Sequence, residues 1–334
     1  MAIKNEVLDV VIIGAGPAGL SVAIEAQKAG LSYVILEKGA VTNSIMNYPL
    51  EMSFFSTPPL LEIGGIPFIT PHQHPSRIEG LTYYREVADH YALKISFDEV
   101  VTTVSHDGNV VVVHSSSSDH RARNVVVATG YFDNPVALGI PGEDLAHVSH
   151  YYTEGHPYYR REVVIVGGQN SAVEASLDLL QHKANVTMIV RAKAIGESVK
   201  YWVKPNIENR IKAGAIKAYF ETEVIAIEQG KIAVRNKDGE HSLDCDQLFL
   251  LTGYHPNVKM LEACGITVDP LTIIPTHNPD TFETNVANVF IAGSVSCGCE
   301  TGAVFIENGR LHAYTIIGVI KRRLADSKKT RLIE

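Results

Sequence analysis

The stretch Val10-Val11-Ile12-Ile13-Gly14-Ala15-Gly16-Pro17-Ala18-Gly19 decides the fold. An unbroken β-branched run reads as a buried strand, and the G-x-G-x-x-G that follows reads as the turn by which a strand enters a helix around a dinucleotide pyrophosphate. Each glycine has its own task. Gly14 permits the sharp turn, Gly16 removes the side chain that would hold the pyrophosphate off, and Gly19 lets the helix lie close to its strand. The anion then rests on free amides at the helix N-terminus. A helical stretch from Leu20 to Ala29 is stopped by Gly30, and the next strand, Tyr33 to Glu37, ends on an acid. That acid stands about 20 residues beyond the first glycine, where a ribose diol is held. Pro17 and Ala18 fill the turn, Pro17 favours FAD over other dinucleotides, and Lys38 is grouped with the same site.

The same grammar recurs. Val163 to Val166 leads into Gly167-Gly168-Gln169-Asn170-Ser171-Ala172, a helix to about Leu180, and a strand from Val186 to Arg191. Gln169 replaces the close-approach glycine and narrows the room; Ala172 replaces the packing glycine. Arg191 stands where the first unit has its acid. A carboxylate there would repel a 2′-phosphate, whereas a guanidinium takes it through two hydrogen bonds. Lys193 and Lys200 are expected to add charge, so NADPH is favoured over NADH.

Two such units imply two dinucleotides, FAD and NADPH. The apolar runs Val125 to Gly130, ending in Ala128-Thr129-Gly130, and Leu248 to Gly253 flank the second unit and resemble hinges. The expected fold is therefore α/β with two Rossmann-like dinucleotide-binding domains, the NADPH domain (133–243) inserted into the FAD domain (1–132 and 244–334). Gly293, in Ile291-Ala292-Gly293-Ser294, is expected to close the flavin site from the second half.

Composition narrows the partners. Lys and Arg number 29 against 37 Asp and Glu, a net charge of −8, which offers no basic surface to nucleic acid or anionic lipid. No apolar run approaches the roughly 18 residues of a membrane helix. Glu6 and Asp9 precede the first strand without a basic leader, so a cytoplasmic protein is expected. The four cysteines are too few for a disulfide framework. Cys245 and Cys264 read as buried fillers, and His147, His150, His156 and His277 as ordinary hydrogen-bonding groups with no metal-ligand spacing. Trp202 is expected at the edge of the inserted domain, and Lys321 to Lys329 as a solvated helix end.

The chain resembles the flavoprotein disulfide reductases, more closely their thioredoxin reductase-like group, and within it the bacillithiol disulfide reductases (YpdA or Bdr). The resemblance runs over nearly the whole chain. It is carried by Phe54-Phe55-Ser56-Thr57-Pro58, Tyr83-Tyr84-Arg85-Glu86, Ala128-Thr129-Gly130-Tyr131, Gly167-Gly168 with Asn170-Ser171-Ala172, Ser198-Val199-Lys200, Gly253-Tyr254-His255-Pro256 and Phe305 to Arg310. It implies an NADPH-dependent flavoenzyme that reduces a small-thiol disulfide; separately, a homo-oligomer is expected. Two departures stand out. His150 to Arg161 lacks the C-x-x-C of thioredoxin reductases, and Ala18 occupies the position after Pro17 where the bacillithiol reductases carry a cysteine. Two alternatives remain open. One is a ferredoxin- or flavodoxin-NADP reductase serving a small protein electron carrier, which needs no cysteine; the other is a redox sensor.

Cys297-Gly298-Cys299 follows the strand end that meets the flavin in this superfamily. A C-x-C pair closes a small, strained and therefore easily reduced disulfide. Thr301 to Arg310 reads as a helix facing the flavin, whose N-terminus would lower a thiol pKa. Cys297 and Cys299 are accordingly the candidate catalytic residues.

Overall fold

The structure is a computed structural model that describes residues 6–333, with side chains to residue 326. The chain divides into two compact units. One comprises Met1–Met46, Ser56–Asn134 and Tyr254–Glu334; the other comprises Asn47–Phe55 and Pro135–Gly253.

The first unit is built on a seven-stranded sheet with the glycine-motif strand Val7–Ile13 at its heart. Tyr33–Leu36 runs parallel on one side and Asp119–Val127 parallel on the other. Beyond Tyr33–Leu36 lies the parallel Ile95–Ser96. The first half of Asp119–Val127 pairs antiparallel with Val110–Ser115, which in turn pairs with Val101–Asp107. Its second half pairs parallel with Val289–Ile291. Val10, Val11 and Ile12 are wholly buried, as a parallel strand covered on both faces must be, and this explains the absence of alternation in the sequence. The helix Pro17–Lys28 starts at Pro17 as its first residue and buries Leu20, Val22, Ala23, Ile24 and Ala26. It packs on the long helix His312–Ile333.

The second unit carries a wholly parallel five-stranded sheet in the order Lys217–Phe220, Asn185–Val190, Glu162–Val166, Gln247–Leu250, Val148–Ser149. The helix Asn170–Gln181 connects two neighbouring strands of it. An antiparallel meander, Glu223–Glu228, Lys231–Asn236 and Gly239–Asp244, lays Val224, Ile227, Ile232 and Val234 on Ile189, Leu248 and Leu250. The parallel part of the first sheet and the whole of the second are Rossmann-like. Among the described residues no helix is long and apolar enough to cross a membrane.

Three expectations change here. Gln247–Leu250, read as part of the first domain, pairs with Glu162–Val166 in the second sheet; an apolar strand ending in Thr-Gly carries no mark of its partner. The expected helix over Thr301 to Arg310 shrinks to Ile306–Gly309. There the Asn308 side chain accepts from the Phe305 amide (2.8 Å) and donates to the Ala303 carbonyl (2.9 Å), a local bonding pattern that competes with helix. At the C-terminus Arg323 is not simply solvated, since it forms a two-pronged ion pair with Glu283 at 2.6 Å on each arm. The Lys328 and Lys329 side chains lie outside the described residues.

Candidate dinucleotide sites

In the first unit Gly14 and Gly19 occupy the turning and packing positions expected of them. Gly14 has φ +105°, and a Cβ there would lie 2.7 Å from the Ala128 carbonyl oxygen. A Cβ on Gly19 would lie 2.0 Å from the Gly14 carbonyl oxygen, so helix and strand touch through it. Around Gly16, by contrast, a Cβ would meet nothing within 4 Å. No side chain caps the helix that starts after Gly16, which leaves its N-terminal amides to an anion. Glu37 is 5% exposed. Its Oε2 accepts from the Ala15 amide (2.7 Å) and its Oε1 from the Gly39 amide (2.9 Å), which aims the carboxylate while each oxygen keeps a lone pair. The Thr129 hydroxyl is buried with no hydrogen-bond partner, and a group so placed is one a ligand would satisfy. Lys38 is engaged by Asp133 at 2.8 Å. Ala18 and Gly293 meet closely: a Cβ on Gly293 (φ +73°) would lie 2.6 Å from the Ala18 methyl.

In the second unit Gly167 (φ +141°) is held between the Leu251 carbonyl and the Ala172 methyl, 2.5 and 3.0 Å from where its Cβ would be. Ala172 thus performs the packing role of the third glycine. Gln169 does not crowd the turn. Its side-chain amide lies over Gly196, and its Oε1 accepts from the Ser198 hydroxyl at 2.7 Å. Asn170 ties the same loop down, donating to the Ser198 carbonyl (3.0 Å) and accepting from the Lys200 amide (2.9 Å). Ser171 sits in the first turn of the helix Asn170–Gln181.

Arg191 and Lys193 are exposed at the end of their strand, as expected. They line one open cleft of ≈ 380 Å³ together with Glu221, Glu223 and Arg235. Lys200 does not join them. It is buried, its Nζ donates to the Ser53 carbonyl (2.8 Å) and to Glu174, and it lies 6.0 Å from the centre of the Trp202 ring. A buried ammonium needs a carboxylate partner, and Glu174, one helical turn beyond Asn170, supplies it. Trp202 in turn stacks on Phe55 with ring centres 5.6 Å apart. Arg235 escaped the sequence reading because it lies on the meander, far along the chain from Arg191, and no local pattern marks it.

The thiols depart from expectation in their acidity. Cys297 is 5% exposed, donates to the Ser294 carbonyl at 3.1 Å, and is pushed up in pKa by burial. Cys299 is exposed, and partial burial raises its pKa too. With only four residues in the helix Ile306–Gly309, the field expected to lower them is missing. All four cysteines are free. Cys245 and Cys264 are buried fillers, pushed up by burial to about 12 and about 11. Both ring nitrogens of His147 are buried without a hydrogen-bond partner, contrary to the ordinary bonding expected of it. His150 instead faces Glu143 at 3.4 Å, and His277 Nδ1 bonds the Pro275 carbonyl at 2.7 Å.

The pyridine nucleotide-disulphide oxidoreductase model matches residues 11–293. Bacilliredoxin reductase Bdr of Bacillus subtilis is 40% identical over 315 residues, 94% of this chain and 97% of that protein. The chain belongs to the bacillithiol disulfide reductase (Bdr, YpdA) family of pyridine nucleotide-disulphide oxidoreductases. Two solved structures of the family superpose closely. The Bacillus cereus enzyme gives a TM-score of 0.93 at 38% identity, covering 95% of this chain and all of the other. The Staphylococcus aureus enzyme gives 0.92 at 36%, covering 96% and 99%. Membership makes the chain a flavoprotein reductase and brings flavin and pyridine nucleotide as its cofactors. The residues present fit both groups. The open space at Gly16, the aimed Glu37 carboxylate and the unbonded Thr129 hydroxyl suit a flavin dinucleotide; the Gly167 turn and the basic cleft at Arg191 suit a pyridine nucleotide.

Proposed function

We propose that this chain is an FAD-containing, NADPH-oxidising reductase of a small-thiol disulfide of the bacillithiol type. The observation that carries the reading is the contrast between two like turns, one backed by the buried Glu37 carboxylate and the other by exposed Arg191 and Lys193. Glu37 accepts from a ribose diol in the first unit; a carboxylate at Arg191 would reject the 2′-phosphate that a guanidinium binds. Residues around the Gly14 turn thus form the FAD half and those around the Gly167 turn the NADPH half. Bound flavin supplies the two-electron relay between nicotinamide and acceptor. The chain's part is to position and to exclude: Gly16 admits the pyrophosphate, Thr129 donates its unbonded hydroxyl, and the Ala18 methyl closes the space beside Gly293. Free cysteines accord with a reducing cytosol.

In this reading Cys299, the exposed thiol, attacks the substrate disulfide and releases one small thiol. Cys297, two residues away, then displaces the second and closes a Cys297–Cys299 disulfide, which the electron pair of NADPH, passed on through the bound flavin, would return to two thiols. Overall one disulfide, NADPH and a proton give two thiols and NADP+. Since burial raises both pKa values, the disulfide-dependent rate rises into the alkaline range as thiolate forms. A second reading, electron delivery to a ferredoxin or flavodoxin, is favoured by one observation: Ala18 leaves no thiol where the family pattern has one.

The test is anaerobic. Protein reduced with NADPH is offered bacillithiol disulfide, ferredoxin and flavodoxin separately, and flavin absorbance is followed. Reoxidation by the disulfide alone, lost in Cys299→Ser, supports the first reading; reoxidation by a carrier alone, intact in that variant, replaces it with the second. Heat-released cofactor that fails to co-chromatograph with FAD removes both.

A further inference from the structure

We propose that Arg235 is a third cation of the 2′-phosphate subsite, held by Glu240 until the nucleotide arrives. The proposal rests on the NADPH reading of the second unit and adds to it a residue on a separate structural element.

Arg235 sits on the middle strand of the meander, opposite Glu223 on one neighbour and Glu240 on the other. Directly opposed residues share a face, so these three form a charged row on the side away from the core, while Val234 beside it is wholly buried. The row borders the cleft into which the end of Asn185–Val190 delivers Arg191 and Lys193. Charge shows why a third cation matters. Arg191 and Lys193 alone face Glu221 and Glu223, two positive groups against two negative, and a cleft so balanced has no attraction for a phosphate dianion. Arg235, once released from Glu240, tips the lining to a positive excess.

The present partner of Arg235 is weak. Its Nε and Nη2 both donate to a single oxygen of Glu240, at 2.9 and 2.6 Å, which leaves Nη1 outside the pair. The two side chains are 56% and 58% exposed. Ion pairs as solvated as this contribute little, whereas a phosphate offers a guanidinium two parallel charge-assisted bonds. Exchange of Glu240 for the 2′-phosphate is therefore favourable.

The test uses the holoenzyme and two readouts, calorimetric binding of adenosine 2′-monophosphate with adenosine as control, and KM for NADPH against KM for NADH. Arg235→Gln is expected to weaken the 2′-phosphate ligand and raise KM for NADPH about tenfold, the loss of one charge-assisted contact, with adenosine and NADH unmoved. Glu240→Gln is expected to act in the opposite direction, tightening both severalfold, an outcome that damage to the fold would not produce. Arg235→Gln that changes nothing, or that shifts NADPH and NADH alike, overturns the proposal, as does Glu240→Gln without tightening. Arg191→Ala separates the levels of the argument. An Arg191 effect without an Arg235 effect removes Arg235 alone; the absence of any NADPH-selective effect at Arg191 removes the NADPH reading itself.

Discussion

Gly16 and Gly19 lie three residues apart in one motif, yet adding a single methyl group to each has opposite expected consequences. A Cβ on Gly19 would lie 2.0 Å from the Gly14 carbonyl oxygen, whereas ordinary contact begins at 3.4 Å. The atom it meets is backbone, so the helix Pro17–Lys28 must lift off its strand. Overpacking of this kind costs about 3 kcal/mol, the upper end of its usual range. At about 2 to 4 °C per kcal/mol for a domain of this size, Gly19→Ala lowers Tm of the flavin-free protein by roughly 6 to 12 °C. Gly16 has φ −72° and ψ 174°, which alanine adopts freely, and its Cβ would meet nothing within 4 Å. Its cost to the flavin-free protein is the small preference for glycine over alanine before a helix, under about 1 kcal/mol. The methyl occupies the space a pyrophosphate must enter. Displacing two amide–phosphate bonds at about 1.5 kcal/mol each removes ~3 kcal/mol, on the order of 100-fold in Kd for FAD. The assay is a thermal melt of flavin-stripped protein, so that bound ligand does not raise Tm by mass action, together with flavin titration followed by fluorescence. A Gly16→Ala protein that purifies with its full complement of flavin, or that melts as low as Gly19→Ala, refutes the reasoning.

Two further outcomes follow from buried ionisable groups. Glu174→Gln strands the Lys200 ammonium, whose side chain is 6% exposed, and is expected to cost about 2 kcal/mol in urea unfolding; Glu174 itself is 29% exposed, which moderates the usual penalty. Lys200→Met costs less because the charge leaves with the side chain, and neither variant should alter the KM ratio of NADPH to NADH; a changed ratio would show that Lys200 reaches the nucleotide. His312 is held neutral by burial and by the nearby His277, its pKa lowered from 6.5 to about 4, and its Nδ1 accepts the Gly293 amide at 3.2 Å. The unfolded chain binds this proton first, so the stability contributed by His312 is complete above pH 6.5 and is lost as pH falls towards about 4. His312→Phe is expected to flatten that part of the stability-against-pH curve, measured by denaturant melts; an unchanged slope would place the proton uptake elsewhere.

The two strand-turn-helix units, the buried character of Val10 to Ile13, the roles of Gly14 and Gly19, and the placing of Glu37 and Arg191 at matching strand ends can all be read from the order of residues. These are legible because they are local: a turn that needs φ +105° at Gly14 or contact at Gly19 restricts the residue whatever surrounds it. Tertiary structure alone decided what depends on distant partners. Gln247–Leu250 went to the second sheet because Glu162–Val166 offered it an edge. Gln169 cleared the turn because Ser198 and Gly196 gave its amide a place. Lys200 became structural because Glu174 and Ser53 enclosed it, and Arg235 came to the Arg191 cleft only because the meander folds back there. Acidity followed the same rule. Cys297 is spaced as a reactive thiol would be, but its pKa is raised by burial, and burial is set by whatever packs over it rather than by its neighbours in the chain.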